Sequence, residues 1–322
     1  MDRGIDEASK HIQMGPPARP CDYLFLLRPI ILIPVWTFFL LGAYHGSSAA
    51  DTPIRVGSFF AGLFSFTALI GAVYIINQIA DRESDLVNRK LFFLPHGIIS
   101  ARAAWIEASL LTLASLTIGY LLVSPLFAFI LAVSLALGAA YSLEPVRFKK
   151  RPVLDVLSNA AGNGILNTLA GWIAAGAALS NLITLLPYPL AVASVHLTTT
   201  LADIEGDSRL GFRTSGVALG RRWGLIISTA LMLAAAGAAA VTDNRPAFYA
   251  SVLSLPMFLI PVRSSRRNAS PAGILLPAKT ATLIFSITAG FLFPYYIPIL
   301  ALVIGATRLY YRRRFGMSYP SL

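Results

Sequence analysis

Charge and cysteine are what this 322-residue chain has least of. Asp, Glu, Lys and Arg make up 13% of it, against roughly 25% in a soluble domain. With 56% of residues hydrophobic, so little charge cannot coat a water-facing surface. The single cysteine, Cys21, excludes an internal disulfide and any metal cluster built on several thiolates. No apolar signal-peptide core opens the chain. Residues 1–22 mix charges with Pro16, Pro17 and Pro20, and read as a short solvated tail ahead of one domain over 23–322. Acidic residues are also scarce, 15 against 26 basic ones, for a net charge of +11. That excess does not point to nucleic acid, because the basic residues sit between apolar runs and not on a separate polar domain.

What is abundant is long apolar sequence. Runs that approach or exceed the ~20 residues needed to cross a bilayer as a helix lie near 29–50, 56–77, 103–123, 125–143, 153–179, 182–202, 223–242, 246–262, 275–293 and 294–311. Phe293-Pro294-Tyr295-Tyr296, between the last two, is either a tight turn or a kink. The expected fold is an all-α, polytopic membrane bundle of nine to ten helices. If the loops alternate sides, 24 of the 26 Lys and Arg fall on one side, and only Arg55 and Arg245 on the other. Positive loops stay cytoplasmic, so both termini and the long polar loops are expected to face the cytoplasm from a cell membrane.

The few carboxylates are clustered. Asn77-Gln-Ile-Ala-Asp81-Arg-Glu-Ser-Asp85 and Thr199-Thr-Leu-Ala-Asp203-Ile-Glu-Gly-Asp207 share Ala-Asp-x-Glu-x-Asp, and each ends an even-numbered run on the positive side. Steps of four place Asn77, Asp81 and Asp85 on one helix face, and Asp203 and Asp207 on another. Crowded carboxylates repel one another at low dielectric until a divalent cation lies among them. Oxygen-only ligands suit a hard ion, and Mg²⁺ commonly shares a few carboxylates with substrate phosphates. Asn77, Asp81, Asp85, Asp203 and Asp207 are therefore the expected metal ligands around one cavity. One such pair would read as ordinary interfacial charge; two matched clusters on one side argue against that.

Tyr141-Ser-Leu-Glu-Pro145-Val-Arg147-Phe-Lys149 closes the fourth run on the same side. Arg147 and Lys149 could hold diphosphate oxygens and stabilise a leaving group, or serve only as positive loop charges. Asp155, Asn159, Asn163 and Asn167 form a polar stripe on the fifth run. Its outer part reads as a cavity wall, and Asn167 as a helix–helix hydrogen bond. His196 shares a face with Asp203 and reads as a buried histidine before an acceptor base.

In this order and topology the motifs resemble the UbiA superfamily of intramembrane prenyltransferases, from Leu27-Arg28-Pro29 through Leu219-Gly220. Asn77 through Asp85 looks like its first aspartate-rich motif. Asp203-Ile-Glu-Gly-Asp207, followed by Arg213-Thr214, looks like the second, and Tyr141 through Lys149 is similar to the tyrosine–lysine motif between them. The resemblance implies nine helices with a polar cap over a central cavity. It implies two Mg²⁺ ions bridging aspartates and diphosphate, ionisation to an allylic cation, and attack by an acceptor. On that basis Asp81, Asp85, Asp203, Asp207 and Lys149 carry the catalysis. Asn77, Tyr141, Arg147, Lys149, Asn159 and Asn163 contact substrate. Gln78, with Asp-x-Glu-Gly-Asp later, looks closest to the homogentisate and lipoquinone branch. The implied reaction is prenyl transfer from a prenyl diphosphate to an aromatic quinone precursor, with a glycerol-phosphate ether lipid or a chlorophyll-type acceptor as the alternative. From other classes, a transporter would place its charged site near the bilayer midplane, and a lipid-binding scaffold would not need all four aspartates.

Overall fold

The computed structural model describes residues 17–88, 93–263 and 271–320. A short helix, α1 (Pro20–Leu26), precedes α2 (Pro29–Ala50), α3 (Val56–Asn88), α4 (Ala101–Ile118) and α5 (Pro125–Ser142). Helix α6 covers 154–174 in three pieces, Leu154–Asn159, a π-helical Ala160–Leu166, and Asn167–Ala174. Then come α7 (Pro187–Ala202), the single-turn α8 (Ile204–Arg209), α9 (Ser215–Val241), α10 (Arg245–Arg263), α11 (Pro271–Leu292) and α12 (Tyr296–Phe315). Among the described residues, ten long helices match the ten apolar runs. Seven stretches among the described residues are long and apolar enough to cross a membrane, so this is a multi-pass membrane protein.

Local chemistry sets the boundaries. Proline, whose missing N–H costs nothing in a first turn, opens α1, α2, α5 and α7. Ser100 and Ser124 cap α4 and α5 by accepting the N–H of Ala103 and Phe127. Phe293 to Tyr295 form a tight turn: the Phe59 and Phe293 rings stack at the end where α3 begins, and Arg314, near the end of α12, is back beside α1.

Burial separates inner from outer helices. In their most apolar stretches α2 and α3 are 56% buried, whereas the stretch containing α4 is 17% buried and leaves Leu110, Leu113 and Tyr120 exposed to lipid. The tightest crossing joins α2 to α6. A Cβ on Gly171 would lie 1.8 Å from the Phe39 carbonyl oxygen, and one on Gly42 1.9 Å from that of Thr168. Only glycine permits that approach. Phe39, Leu41, Trp172 and Tyr188 fill the core around it.

Two expected boundaries move. The tail does not run to residue 22, because Pro20 starts a helix and Asp22 is fully buried. Asp22 accepts from the Tyr310 hydroxyl and, at 2.9 Å, from Arg314, whose side chain is 4% exposed. The Phe25 ring stacks on Tyr310 at 3.7 Å. This clasp fastens the first helix to the last. Helix α9 begins at Ser215 and not near 223, with a left-handed break at Gly220 (φ 68°) separating its first turn from the membrane-length part.

Candidate active site

Helix α3 does not stop where its apolar residues stop. It runs on through Asp81 and Asp85, which stay on one face. Helix α7 ends at Asp203, whose backbone leaves the helical region, and α8 carries Asp207. The two chain segments meet at one end of the bundle around a polar chamber of about 220 Å³. Asp81, Asp85, Asp203 and Asp207 all line it, with Tyr141, Lys149 and His196.

The loop after α5 supplies the positive charge. The Lys149 ammonium donates to Asp81 Oδ2 at 2.5 Å, and the Arg147 guanidinium to Asp81 Oδ1 at 3.2 Å. Arg147 also binds Glu144 at 2.8 Å, and its backbone is left-handed (φ 41°). Burial pulls the Lys149 pKa down, and neighbouring Asp81 holds it up. Lys150 sits 4.0 Å over the Phe212 ring, joining this loop to the one after α8. Thr214 donates to Asp207 at 3.0 Å.

Two largely apolar cavities, the arms, adjoin the chamber and share lining residues with it. One, of about 160 Å³, is lined by Tyr74, Asn77, Leu137, Tyr141, Asn159 and Asn163 among others. The second, of about 250 Å³, is lined by Ile31, Pro34, Phe38, Asn159, Asn163, Val195, His196 and Phe285 among others. Tyr141 borders both the chamber and the first arm; His196 and Thr199 border both the chamber and the second. Asn159 and Asn163 border both arms.

Most of the expected residues converge; Arg147 lines neither chamber nor arm and reaches the site through its bond to Asp81, and three other residues depart from their expected roles. Asn77 lines the first arm and not the chamber, and donates its amide to Ser142 at 3.0 Å. Asp155 does line the chamber, but its carboxylate is already engaged. It takes the backbone N–H of Ser215 at 2.7 Å, the Ser215 hydroxyl and the N–H of Val156, and so ties α6 to the start of α9. Gln78 is buried and bonded to the Leu26 and Tyr74 carbonyls, so it joins α3 to α1 and touches neither chamber nor arm. One residue was missed. Arg28, left-handed at φ 58°, lines the first arm, and its Nε is shut from water with no partner among the described residues. A basic residue directly before the proline that opens the first long helix was the available signal.

Among the described residues no three Asp, Glu, His or Cys side chains gather tightly enough to hold a metal ion by themselves. The carboxylates are spread around the chamber wall instead. An all-oxygen set of that kind suits a hard divalent ion that shares its shell with oxygens of a bound ligand.

Fold and site together define a polytopic helical membrane protein with an acidic chamber at one end, beside apolar cavities among the helices. Residues 31–273 match the UbiA prenyltransferase family, and the chain belongs to that family of membrane enzymes. It is 28% identical over 222 residues to the bacteriochlorophyll synthase 34 kDa chain of Chloroflexus aurantiacus, covering 64% of this chain and 71% of that one. It is 29% identical over 194 residues to the chloroplastic 2-acylphloroglucinol 4-prenyltransferase of Humulus lupulus, covering 54% of this chain but 45% of the relative. The structure of a UbiA homolog from Archaeoglobus fulgidus bound to DMAPP and Mg²⁺ superposes with a TM-score of 0.65 at 26% identity, over 83% of this chain and 97% of that one.

Proposed function

We propose that this enzyme transfers the prenyl group of a prenyl diphosphate to an aromatic acceptor, with the diphosphate in the chamber and the two hydrocarbon parts in the two arms. The observation that carries this is the meeting of four carboxylates, from two separate chain segments, with Lys149 around one chamber that adjoins apolar cavities, while Arg147 is held against Asp81. The Archaeoglobus homolog, of the same fold, binds DMAPP and Mg²⁺.

Asp81, Asp85, Asp203 and Asp207 would hold Mg²⁺, which we take to be two ions. The metal supplies positive charge to a departing diphosphate. Lys149 and Arg147 meet the diphosphate oxygens and help to carry the charge that grows on them. Tyr141 stands at the neck where C1 of the prenyl chain leaves the chamber. The C1–O bond breaks with its electron pair going to the diphosphate. The acceptor's ring carbon provides the pair for the new carbon–carbon bond, and its proton passes to the released diphosphate. Asn159 and Asn163, at the junction of the arms, contact both substrates, and Asn77 keeps a substrate-contacting role. The chamber and both termini face the cytoplasm, as the 24-to-2 distribution of basic residues supports.

The test is to incubate purified protein with radiolabelled prenyl diphosphates of several lengths and a panel of hydroxylated aromatic acceptors. Transfer should stop with excess chelator and return with added Mg²⁺. Full transfer in excess chelator would overturn the metal assignment, and failure to cleave any prenyl diphosphate would overturn the reaction.

A further inference from the structure

His196 stands on α7 where the acidic chamber meets the second arm. Its Nε2 lies 3.2 Å from the side-chain nitrogen of Asn159. A ladder of amides on α6 decides which of the two donates. The Asn159 nitrogen is also 3.1 Å from the backbone carbonyl oxygen of Asp155, which can only accept. The NH₂ of Asn159 must therefore face Asp155 and His196, while its Oδ1 takes the Asn163 amide at 3.1 Å. Asn163 in turn accepts from Asn167 at 3.3 Å. An amide NH₂ gives hydrogens and takes none, so Nε2 is the acceptor and the neutral ring carries its proton on Nδ1. Nδ1 has no hydrogen-bond partner among the described residues, and it is not one of the partnerless polar atoms sealed from solvent. It therefore presents an N–H to the cavity its ring lines.

The rest of the second arm offers few donors near the chamber. The hydroxyls of Thr37, Tyr74, Thr199 and Thr282 each donate to a backbone carbonyl, those of Ile33, Ile31, His196 and Ala278. Both amide hydrogens of Asn159 are also taken. Of the two residues that line both the chamber and this arm, His196 and Thr199, only His196 has a donor left for a ligand; the second amide hydrogen of Asn163 lies a turn deeper. Meanwhile the engaged Nε2 cannot take a proton without turning an N–H against the Asn159 amide, so His196 is not the acceptor's base.

We propose that the Nδ1–H of His196 donates to a phenolic or carbonyl oxygen of the aromatic acceptor and thereby selects which ring carbon faces the prenyl group. This rests on the proposed transfer to an aromatic acceptor. It makes His196 a positioning residue that sets regiochemistry, with the Asn159–Asn163–Asn167 ladder holding its tautomer.

The experiment compares wild type with His196→Phe and His196→Asn, using the dihydroxy- or trihydroxybenzene derivative that wild type prenylates fastest. Asparagine can return an N–H near the position of Nδ1; phenylalanine cannot. A lost neutral hydrogen bond corresponds to roughly a 3- to 10-fold fall in kcat/KM. His196→Phe should show that fall for the acceptor and a changed ratio of positional isomers in the product. His196→Asn should restore the isomer ratio, a readout that does not depend on how much protein is folded. An unchanged isomer ratio in His196→Phe overturns the assignment, as does an effect confined to KM for the prenyl diphosphate. Wild type that cleaves prenyl diphosphate but prenylates no aromatic compound overturns the acceptor class and this inference with it. Wild type that cleaves none overturns the proposed reaction itself.

Discussion

Replacing Asp81 by alanine removes one carboxylate from the chamber and the shared partner of two cations. The effects separate by size. As a metal ligand, Asp81 belongs to the groups whose loss commonly costs roughly 10²–10³ in rate. As an ion-pair partner it holds Lys149 at 2.5 Å and Arg147 at 3.2 Å, with all three side chains between 13% and 20% exposed. At that depth the loss of this carboxylate from Lys149, while Arg147 keeps Glu144, costs about 1–3 kcal/mol in stability, which can lower the folded fraction but cannot imitate a 10³-fold loss per folded molecule. The assay is initial prenyl transfer in nanodiscs at saturating Mg²⁺, normalised to folded protein by size exclusion and thermal unfolding. Asp81→Asn separates the roles further. Its amide oxygen can still accept from one cation but is a poor Mg²⁺ ligand, so it should recover stability and not rate. Asp203→Ala should lose a similar factor. The double variant should be little worse than either single, because ligands of one metal–diphosphate unit do not act independently. Near-normal transfer by Asp81→Ala, or additive losses in the double variant, would refute a shared site.

Three more outcomes follow from the geometry. Arg314→Met should strand the buried Asp22 carboxylate and cost about 3–5 kcal/mol, seen as a lower Tm in detergent with activity per folded molecule retained; an unchanged Tm would show the clasp to be idle. Gly171→Ala would push a methyl group into the Phe39 carbonyl at 1.8 Å, and overpacking of this kind costs about 1–3 kcal/mol, so the variant should unfold earlier than wild type while Gly237→Ala, with open space around it, should not. With Cys21 replaced, a cysteine at exposed Ser208 should react with an impermeant thiol reagent only from the cytoplasmic side, and one at exposed Ser48 only from the other; labelling of both from one side would refute the proposed orientation.

The apolar runs were legible because a bilayer demands length and hydropathy, and a composition scan detects both. Their ends were less so. Hydropathy stops at residue 77 of α3, yet the helix continues to Asn88, because polar residues extend a helix into water as readily as apolar ones extend it through lipid. The start of α9 was missed for a different reason: its first turn is anchored by Asp155, 60 residues earlier in the chain. The helix in 20–22 was hidden by charge and proline, which suggest a tail, until Arg314 supplies the partner that makes Asp22 a core residue.

The acidic clusters were legible because a four-residue step has one meaning on a helix. The stripe Asp155, Asn159, Asn163, Asn167 shows how far that reasoning goes. Periodicity places all four on one side of α6 and separates them only by depth. The structure divides them by what each can donate or accept. Asp155, a pure acceptor, is consumed by the donors at the head of α9. The asparagines, which both give and take, pass hydrogen bonds along the helix until the last amide meets His196. The polarity of that ladder is fixed at its end by a backbone carbonyl, because an amide group there cannot be turned round without facing oxygen to oxygen. A stripe expected to be a cavity wall in its outer part and a helix–helix contact at Asn167 is thus a fastening at one end and a directional chain along the rest, and the direction is what puts an N–H at the edge of the chamber.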